Sequence, residues 1–408
     1  MKTFSEKLIK FVAGGLCSIG MYAGLSGMNT GYSTLVVGGN GQDNFNSIQE
    51  AINYIDWSNP TEIIILPGTY HDIHQQVIDT KGLVIWLHSS DGPDVTFIDG
   101  QNLKRCVFVR FQETSSTIFE GLTFINGYAQ HGAGMWVANG SPQVLDCVFK
   151  NNVSYGFGGG MYVNASSSPT VTNCSFINNS ALDGGGLKNA SNGTTFLNCM
   201  FTQNSAENGG AIQNYASTGT YTDCSMTGNT ASETGGGVHN IFGTTSQFVN
   251  CIIDFNSAQI GGGVRNESLS NPVFTSTIIN SNSATIGGGI ENENSSPEFI
   301  SCEVKLNTDT VGGMASFLKS NPVLIDSNFC QNTPVNISGP FTDLGGNTIC
   351  IDASCESDLN GDGFVDIHDL LQLVSAWGNL GGPEDINQDG VVDLADILIM
   401  IPNWGSCP

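Results

Sequence analysis

Hydrophobic and polar residues alternate along most of this chain, in short bursts that end at Asn, Asp, Ser or Gly. Thr170-Val171-Thr172-Asn173-Cys174-Ser175-Phe176 is one burst, and its period of two is that of a β-strand. No burst is long enough, or suitably patterned, for a helix. The bursts recur in step. Aligned on one inward position, the chain reads Leu122, Cys147, Cys174, Cys199, Cys224, Cys251, Thr277, Cys302 and Ser327, spaced 25 to 27 residues apart. Five residues after each come Gly127, Asn152, Asn179, Asn204, Asn229, Asn256, Asn282, Asn307 and Asn332. About a dozen residues after most of them lies a glycine cluster: Gly158–Gly160, Gly184–Gly186, Gly209–Gly210, Gly235–Gly237, Gly261–Gly263 and Gly287–Gly289. Three columns repeating together predict stacked units. With a strand period, they predict an all-β fold: a right-handed parallel β-helix, or solenoid, over residues 35–345, with neighbouring coils about 4.8 Å apart.

Stacking explains the repetition, because each coil lies on a near copy of itself. Cys and Phe are expected to stack inward. The Asn column is placed at a turn, where Asn tolerates the left-handed conformation and its amide can bond the next Asn in the stack. The glycines supply a corner with positive φ. The many Asn-x-Ser/Thr triplets then read as ladders rather than as glycosylation signals. The cysteine column reads as buried, inert thiols. Outside it, Cys330 with Cys350 and Cys355 with Cys407 are candidate disulfides for an exported chain. At the start of the array, Ser47 and Glu50 are spaced as a capping box. Ile48, Ala51, Ile52 and Ile55 share one face of the helix that follows, which predicts a cap over the open end of the first coil.

SIQEAINYI followed by IIILPGTYH resembles the entry to pectate-lyase-like β-helix proteins. Phe-x-x-Asn at Phe149–Asn152, Phe176–Asn179, Phe201–Asn204 and Phe329–Asn332, with Gly209-Gly210-Ala211-Ile212, resembles the repeats of polymorphic outer membrane adhesins. The resemblance implies the fold. It does not imply a chemistry, since one fold hosts many sites.

The C-terminal pattern is different. Asp358, Asn360, Asp362, Phe364 (through its carbonyl), Asp366 and Asp369 stand at positions 1, 3, 5, 7, 9 and 12 of an oxygen-ligand loop, with Gly363 at the sharp turn. Asp385, Asn387, Asp389, Val391, Asp393 and Asp396 repeat it 27 residues later, with Gly390 at the turn. Such alternation suits one Ca²⁺ per loop, two in all. Each loop precedes an apolar helical stretch, Leu370 to Trp377 and Ile397 to Trp404. Asp instead of Glu at position 12, and the lack of an incoming helix, make the pair resemble a dockerin. That resemblance implies a small α-helical calcium-loop module, residues 356–407 after a linker at 346–355, which docks to a cohesin-like or other scaffold protein. The positions that dockerins use for partner choice correspond to Ile367-His368 and Leu394-Ala395, which lack the usual hydroxyl pair. From Ile351 onward there are 11 acidic residues and no Lys or Arg, so calcium should couple to folding here.

Residues 1–27 read as a secretory signal: Lys2, Lys7 and Lys10 precede an apolar run from Phe11 to Tyr22. No later apolar run is long enough to span a bilayer, so the mature chain is expected to be exported and soluble. The formal charge of -25 disfavours nucleic acid and anionic membranes as partners.

Candidate binding chemistry lies in one more column, Trp136, Tyr162, Lys188, Gln213, His239, Arg265 and Glu291. Strand alternation points it outward. Aromatic, basic and amide groups in line suit a polysaccharide chain or surface glycan lying along the coils. An ordinary solvent-facing strand is the bland alternative. Glu207 and Glu233 fall at equivalent places in adjacent coils, as a retaining glycosidase pair would. A lyase would use Lys188 or Arg265 as base with acids nearby. Neither set is complete, and His88 and His131 have no second ligand at metal spacing. The sequence therefore predicts an exported, tethered β-helix protein that binds or processes extracellular polysaccharide. The competing reading is a non-catalytic surface or adhesion protein.

Overall fold

The computed structural model describes residues 33–39, 45–56, 59–350, 357–360, 364–387 and 389–406. The predicted signal (1–27), half of the linker (351–355, with Cys355), Asp362, Gly363 and Cys407 lie outside them. From Ser33 to Ile349 the chain is a right-handed parallel β-solenoid of about twelve turns. Among the described residues it has three long parallel sheets. Sheet A has 13 strands, from Ser33–Val37 to Thr342–Asp343; sheet B has 12, from Gly68–Tyr70 to Thr348–Ile349; sheet C has 11, from Gln76–Asp79 to Ile337–Ser338. No described helix is long and apolar enough to cross a membrane.

One coil shows how the sequence makes the turn. Thr170–Thr172 lies in sheet A and Ser175–Ile177 in sheet B. Between them Asn173 takes φ 55° and Cys174 points into the core. After the second strand Asn178 takes φ 53° and Asn179 turns inward. The residue with positive φ therefore precedes the ladder asparagine, which corrects the expectation that the ladder residue itself is left-handed. The site tolerates Gln203, Phe255 and Leu306 in other coils, because the side chain there points out of the solenoid and only the backbone is constrained.

The asparagines form a buried ladder. The amide of Asn152 donates to Asn179 Oδ1 (3.0 Å), and the series continues through Asn204, Asn229, Asn256, Asn282 and Asn307 to Asn332, each step at 2.9–3.0 Å. Each Oδ1 also accepts a backbone N–H, as from Asn204 N to Asn229 Oδ1 (2.9 Å). Each Nδ2 also donates to a carbonyl of the preceding coil, as from Asn229 to Phe201 O (2.9 Å). A second ladder, not anticipated from sequence, runs inside sheet C: Asn214, Asn240, Asn266 and Asn292 join at 2.9 Å per step.

Aromatic rings fill the remaining core in two stacks. Phe124, Phe149, Phe176 and Phe201 stack under sheet B with centroids 4.6–4.9 Å apart. Phe196, Tyr221, Phe248, Phe274 and Phe299 continue under sheet A at 4.8–5.1 Å. The column cysteines are buried and unpaired as expected, with thiols facing carbonyls, as Cys174 Sγ to Thr172 O (3.2 Å). Cys330 and Cys350 form the expected disulfide. Cys355 with Cys407 lies outside the described residues.

The glycine clusters have two functions. Their first member is left-handed, as at Gly235 (φ 64°). The second sits against the next coil: a Cβ on Gly236 would lie 2.4 Å from Gly262 O and 2.5 Å from Ser257 O. The cap at the first coil also forms. Helix α1, Ile48–Tyr54, starts at Ser47, whose Oγ accepts the Glu50 N–H (3.1 Å). Its Ile48, Ala51 and Ile52 join the solenoid core.

Three coils precede the repeat columns. There the core is continued by register alone, Ile63 on Leu87 on Phe119 on Val144, without the Asn or Gly signature. At the other end, Ile367–Ser375 (α2) and Leu394–Met400 (α3) build a separate small core of Val365, Leu373, Ala376, Ile386, Val392 and Met400. Both helices begin three residues before the apolar runs read from sequence, because Asp366 and Asp393 are their N-caps.

Asn229→Ala removes both accepted and both donated bonds of one rung and strands buried partners above and below. It is expected to lower the free energy of unfolding by about 3 kcal/mol. Urea unfolding measures this, and a loss below about 0.5 kcal/mol would show that the ladder is not a source of stability.

Candidate functional site

The predicted outward column lies on the outer face of sheet C in consecutive coils. Register places Trp136 beside Tyr162, Tyr162 beside Lys188, and so on to Arg265 beside Glu291. It points away from the core, but it is not an open surface. Lys188, Gln213, His239, Arg265 and Glu291 are all buried. One wall over them is the connection between the Asn ladder and the glycine cluster, which brings Phe157, Asp183, Asn208 and Thr234 alongside. The other wall is the next outward residue of each strand, including Tyr215, Glu267 and Glu293. Only Trp136 and Tyr162 remain half-buried. The expectation of one continuous exposed stripe is therefore corrected: the row divides into an accessible aromatic end and a sealed polar end.

At the aromatic end, Phe108 stacks on Trp136 (4.7 Å, 16°) and Trp136 on Tyr162 (6.1 Å, 23°). His131 and Phe157 pack alongside, with centroids 4.9 Å apart. The Arg105 guanidinium sits 4.8 Å from both the Phe108 and Trp136 centroids and donates to His131 O and Gly132 O. Burial pulls Arg105 down to about 10, and it depresses His131 through burial and through the Arg105 charge. Trp136 Nε1 and His131 Nδ1 are buried with no hydrogen-bond partner among the described residues. Sequence reasoning found Trp136 and Tyr162 but missed Phe108, Arg105 and His131. Phe108 and Arg105 lie on one strand of a coil without the repeat signature, and His131 reaches the row from the connection beside sheet C.

The sealed end is one hydrogen-bonded line. Asp183 accepts from Lys188 (3.1 Å), and Lys188 contacts Gln213 Oε1. With that oxygen committed, Gln213 Nε2 faces His239 Nδ1 (3.1 Å), so Nδ1 accepts and the neutral ring donates from Nε2 to Glu267 (3.0 Å). Burial lowers the His239 pKa, consistent with a neutral ring. Arg265 then meets three carboxylates, Glu267 (3.1 Å), Glu291 and Glu293. One guanidinium cannot neutralise three, and the most buried acid holds its proton to a higher pH than an ordinary carboxylate. Burial pushes Glu291 up to about 7, whereas the hydrogen bond from His239 leads in holding Glu267 down at about 2. Beside this cluster, Glu267, Ser268, Glu293, Asn294, Leu318 and Lys319 line a depression of 370 Å³.

Glu207 and Glu233 do not stand in register as a catalytic pair. Their strands slip between Ala206 and Asn208, and both side chains are exposed.

The C-terminal loops share one backbone design. Asp369 accepts from Leu359 N (2.8 Å), Asn360 N (3.0 Å) and Asp366 N (2.8 Å). Asp396 repeats this with Asn387 N (3.1 Å) and Asp393 N (2.8 Å). Asp385 accepts from Asp389 N (3.1 Å) and Gly390 N (2.9 Å). Among the described residues no three acidic, histidine or cysteine side chains converge on a metal position.

A family model described as a right handed beta helix region matches residues 52–204. One for the Chlamydia polymorphic membrane protein repeat matches residues 198–215. No curated protein sequence matches the chain. Among solved structures, pectate lyase Pel9A is similar at 14% identity and TM-score 0.43, over 87% of this chain and 86% of that one. The A-module of Azotobacter vinelandii mannuronan C-5 epimerase AlgE6 is similar at 13% and 0.40, over 74% and 94%. Pectin methylesterase from carrot is similar at 12% and 0.37, over 76% and 88%. Likenesses this distant assign no chemistry to the chain.

Glu291 tests the sealed cluster. Its folded pKa lies above its unfolded value of about 4.5, so its contribution to stability is full below that pH and is lost as pH rises through about 7. Glu291→Gln carries no such dependence. The variant is expected to gain on the order of 2 kcal/mol relative to the parent between pH 5 and pH 8. Thermal unfolding across that range measures it, and a pH-independent difference would overturn the assignment.

Proposed function

We propose that this chain is an exported β-helix protein that holds an extracellular polysaccharide against the aromatic end of sheet C. The observation that carries this is the half-buried stack of Phe108, Trp136 and Tyr162, with Arg105 against it. The stacked rings cover one another's faces, so the row presents a strip of apolar ring edges against which the C–H groups of successive sugars can lie. Nothing in this reading requires catalysis. A non-catalytic surface or adhesion role is the second reading, and the sealing of Lys188, His239, Arg265 and Glu291 away from solvent favours it over bond cleavage.

The C-terminal pair of loops, on this proposal, binds two Ca²⁺ and tethers the solenoid to a scaffold protein. Asp358, Asn360, Asp362, the Phe364 carbonyl, Asp366 and Asp369 would hold one ion. Asp385, Asn387, Asp389, the Val391 carbonyl, Asp393 and Asp396 would hold the other. The fit rests on the matched backbone wrapping of the two loops and on a module with no Lys or Arg to offset its carboxylates. The docking face is carried twice: Ile367, Leu371, Val374 and Trp377 recur as Leu394, Leu398, Ile401 and Trp404, each about half exposed. A duplicated apolar face of this kind suits a protein partner.

Replacing Trp136 and Tyr162 together with Ala is expected to weaken polysaccharide binding at least tenfold, about 1.4 kcal/mol, with the solenoid still folded. Affinity electrophoresis across pectate, alginate and plant or algal polysaccharides reads the binding. Assays for reducing ends and unsaturated products on the same panel separate the enzymatic reading from the adhesive one. Unchanged affinity for every polymer the parent binds would refute the aromatic site.

The full chain is expected to take up two Ca²⁺ by calorimetry and to lose its α-helical dichroism, but not its β signal, in EGTA. Asp358→Ala with Asp385→Ala should reproduce the chelated state. A chain that shows no heat of calcium binding would end the proposal for the loops.

A further inference from the structure

Among the described residues, Lys188 is the lysine that the solenoid buries. Its side chain is buried between coils, with Nζ 4.7 Å from the Phe157 centroid and 5.1 Å from the Tyr215 centroid. Strand register sets it directly beside Gln213 of the next coil. Nζ contacts Gln213 Oε1, which sets the amine against the carboxamide it would attack. The carboxamide cannot turn away, because Gln213 Nε2 is held by His239 Nδ1 (3.1 Å). A carboxylate, Asp183, lies 3.1 Å from the same Nζ, and is itself fixed by Asn208 Nδ2 (3.0 Å). Amine, amide and acid are thus assembled in an aromatic, largely water-free setting.

We propose that Lys188 and Gln213 are an autocatalytic cross-linking site, where the lysine amine displaces ammonia from the glutamine side chain to give an amide between adjacent coils. Asp183 takes a proton from the ammonium, freeing the Nζ lone pair to attack Cδ of Gln213. The C–Nε2 bond breaks as the Cδ–Nζ bond is kept. Lys188 gives up two protons, and both leave with the displaced nitrogen as ammonium. Asp183 ends as the carboxylate it began as. No oxidant, reductant or cofactor enters. The aromatic pocket assists the first step: burial lowers the Lys188 pKa despite the nearby Asp183 charge, which favours the amine. The bond would tie two coils through their side chains, at the boundary between the aromatic and polar ends of sheet C.

Peptide mass spectrometry of the full-length protein decides this. Trypsin cuts after Lys150, Lys188 and Arg265, with no other Lys or Arg between them. An uncross-linked chain gives peptides 151–188 and 189–265. The cross-linked chain gives one species spanning 151–265, lighter than its sequence mass by about 17 Da, the mass of ammonia. Fragment ions should place that loss at Lys188 and Gln213, and Gln213→Met should restore cleavage after Lys188. Separate peptides from the parent protein overturn the proposal, as does a 151–265 species of unshifted mass. A loss of about 18 Da, the mass of water, would join Lys188 to Asp183 instead and also overturns it. The parent protein alone settles the matter, whatever the stability of the variant.

Discussion

The asparagine ladder at the corner after sheet B is the constraint on which the rest of the solenoid depends. A carboxamide has two donors and an oxygen that accepts twice, and a ladder asparagine within the run, such as Asn229, uses all four, two along the stack and two to backbone. Asp lacks the donors, Ser lacks the reach, and Gln would place the same groups one bond too far from the corner. Because the ladder is buried, an unfilled rung costs more than its bonds contribute when made. The corner therefore keeps its position from coil to coil, and the spacing of 25 to 27 residues follows from it.

Length variation has to go elsewhere. In the repeating coils sheets A and B are joined through a single left-handed residue, and sheet B reaches the ladder through another, so both corners keep their length there. Two connections adjust, the one from sheet C to sheet A and the one from the ladder to the glycine cluster; the second is the one that builds a wall. It is long enough to fold beside sheet C, where it pairs with its own copies in neighbouring coils. That wall turns a flat sheet face into a cleft. Charged side chains that alternation sends away from the core are thereby buried a second time, on the outside, and must satisfy one another. The line from Asp183 to Glu293 is the result.

The two halves of the described chain fold by different means. The solenoid has a continuous apolar core, stacked rings and ladders, all supplied by one coil to the next. Among the described residues the C-terminal module has six buried apolar residues and leaves eleven large ones on its surface. Its helices are held at their starts by aspartates that reach back to the loop backbone. Such a module has little apolar burial to offset chain entropy, and its carboxylates carry much of its local structure.

The sequence alone determined whatever repeats. The Cys, Asn and Gly columns, the strand period, the Ser47 cap and the Cys330–Cys350 pair were legible because a stacked coil selects the same residue type at the same place each time. The inner ladder of Asn214, Asn240, Asn266 and Asn292 is written in the sequence just as regularly, one residue after each member of the variable column. Other features were decided only by tertiary structure. The coils before Leu122 stack by register on unlike residues, so no column marks them. Alternation gave the direction of Lys188, His239, Arg265 and Glu291 correctly but not their burial. Burial depended on a wall contributed by residues some 5 to 28 positions away. Periodicity records which way a side chain leaves its own strand. What it meets there is set by the path of other segments, and only the folded chain brings those together.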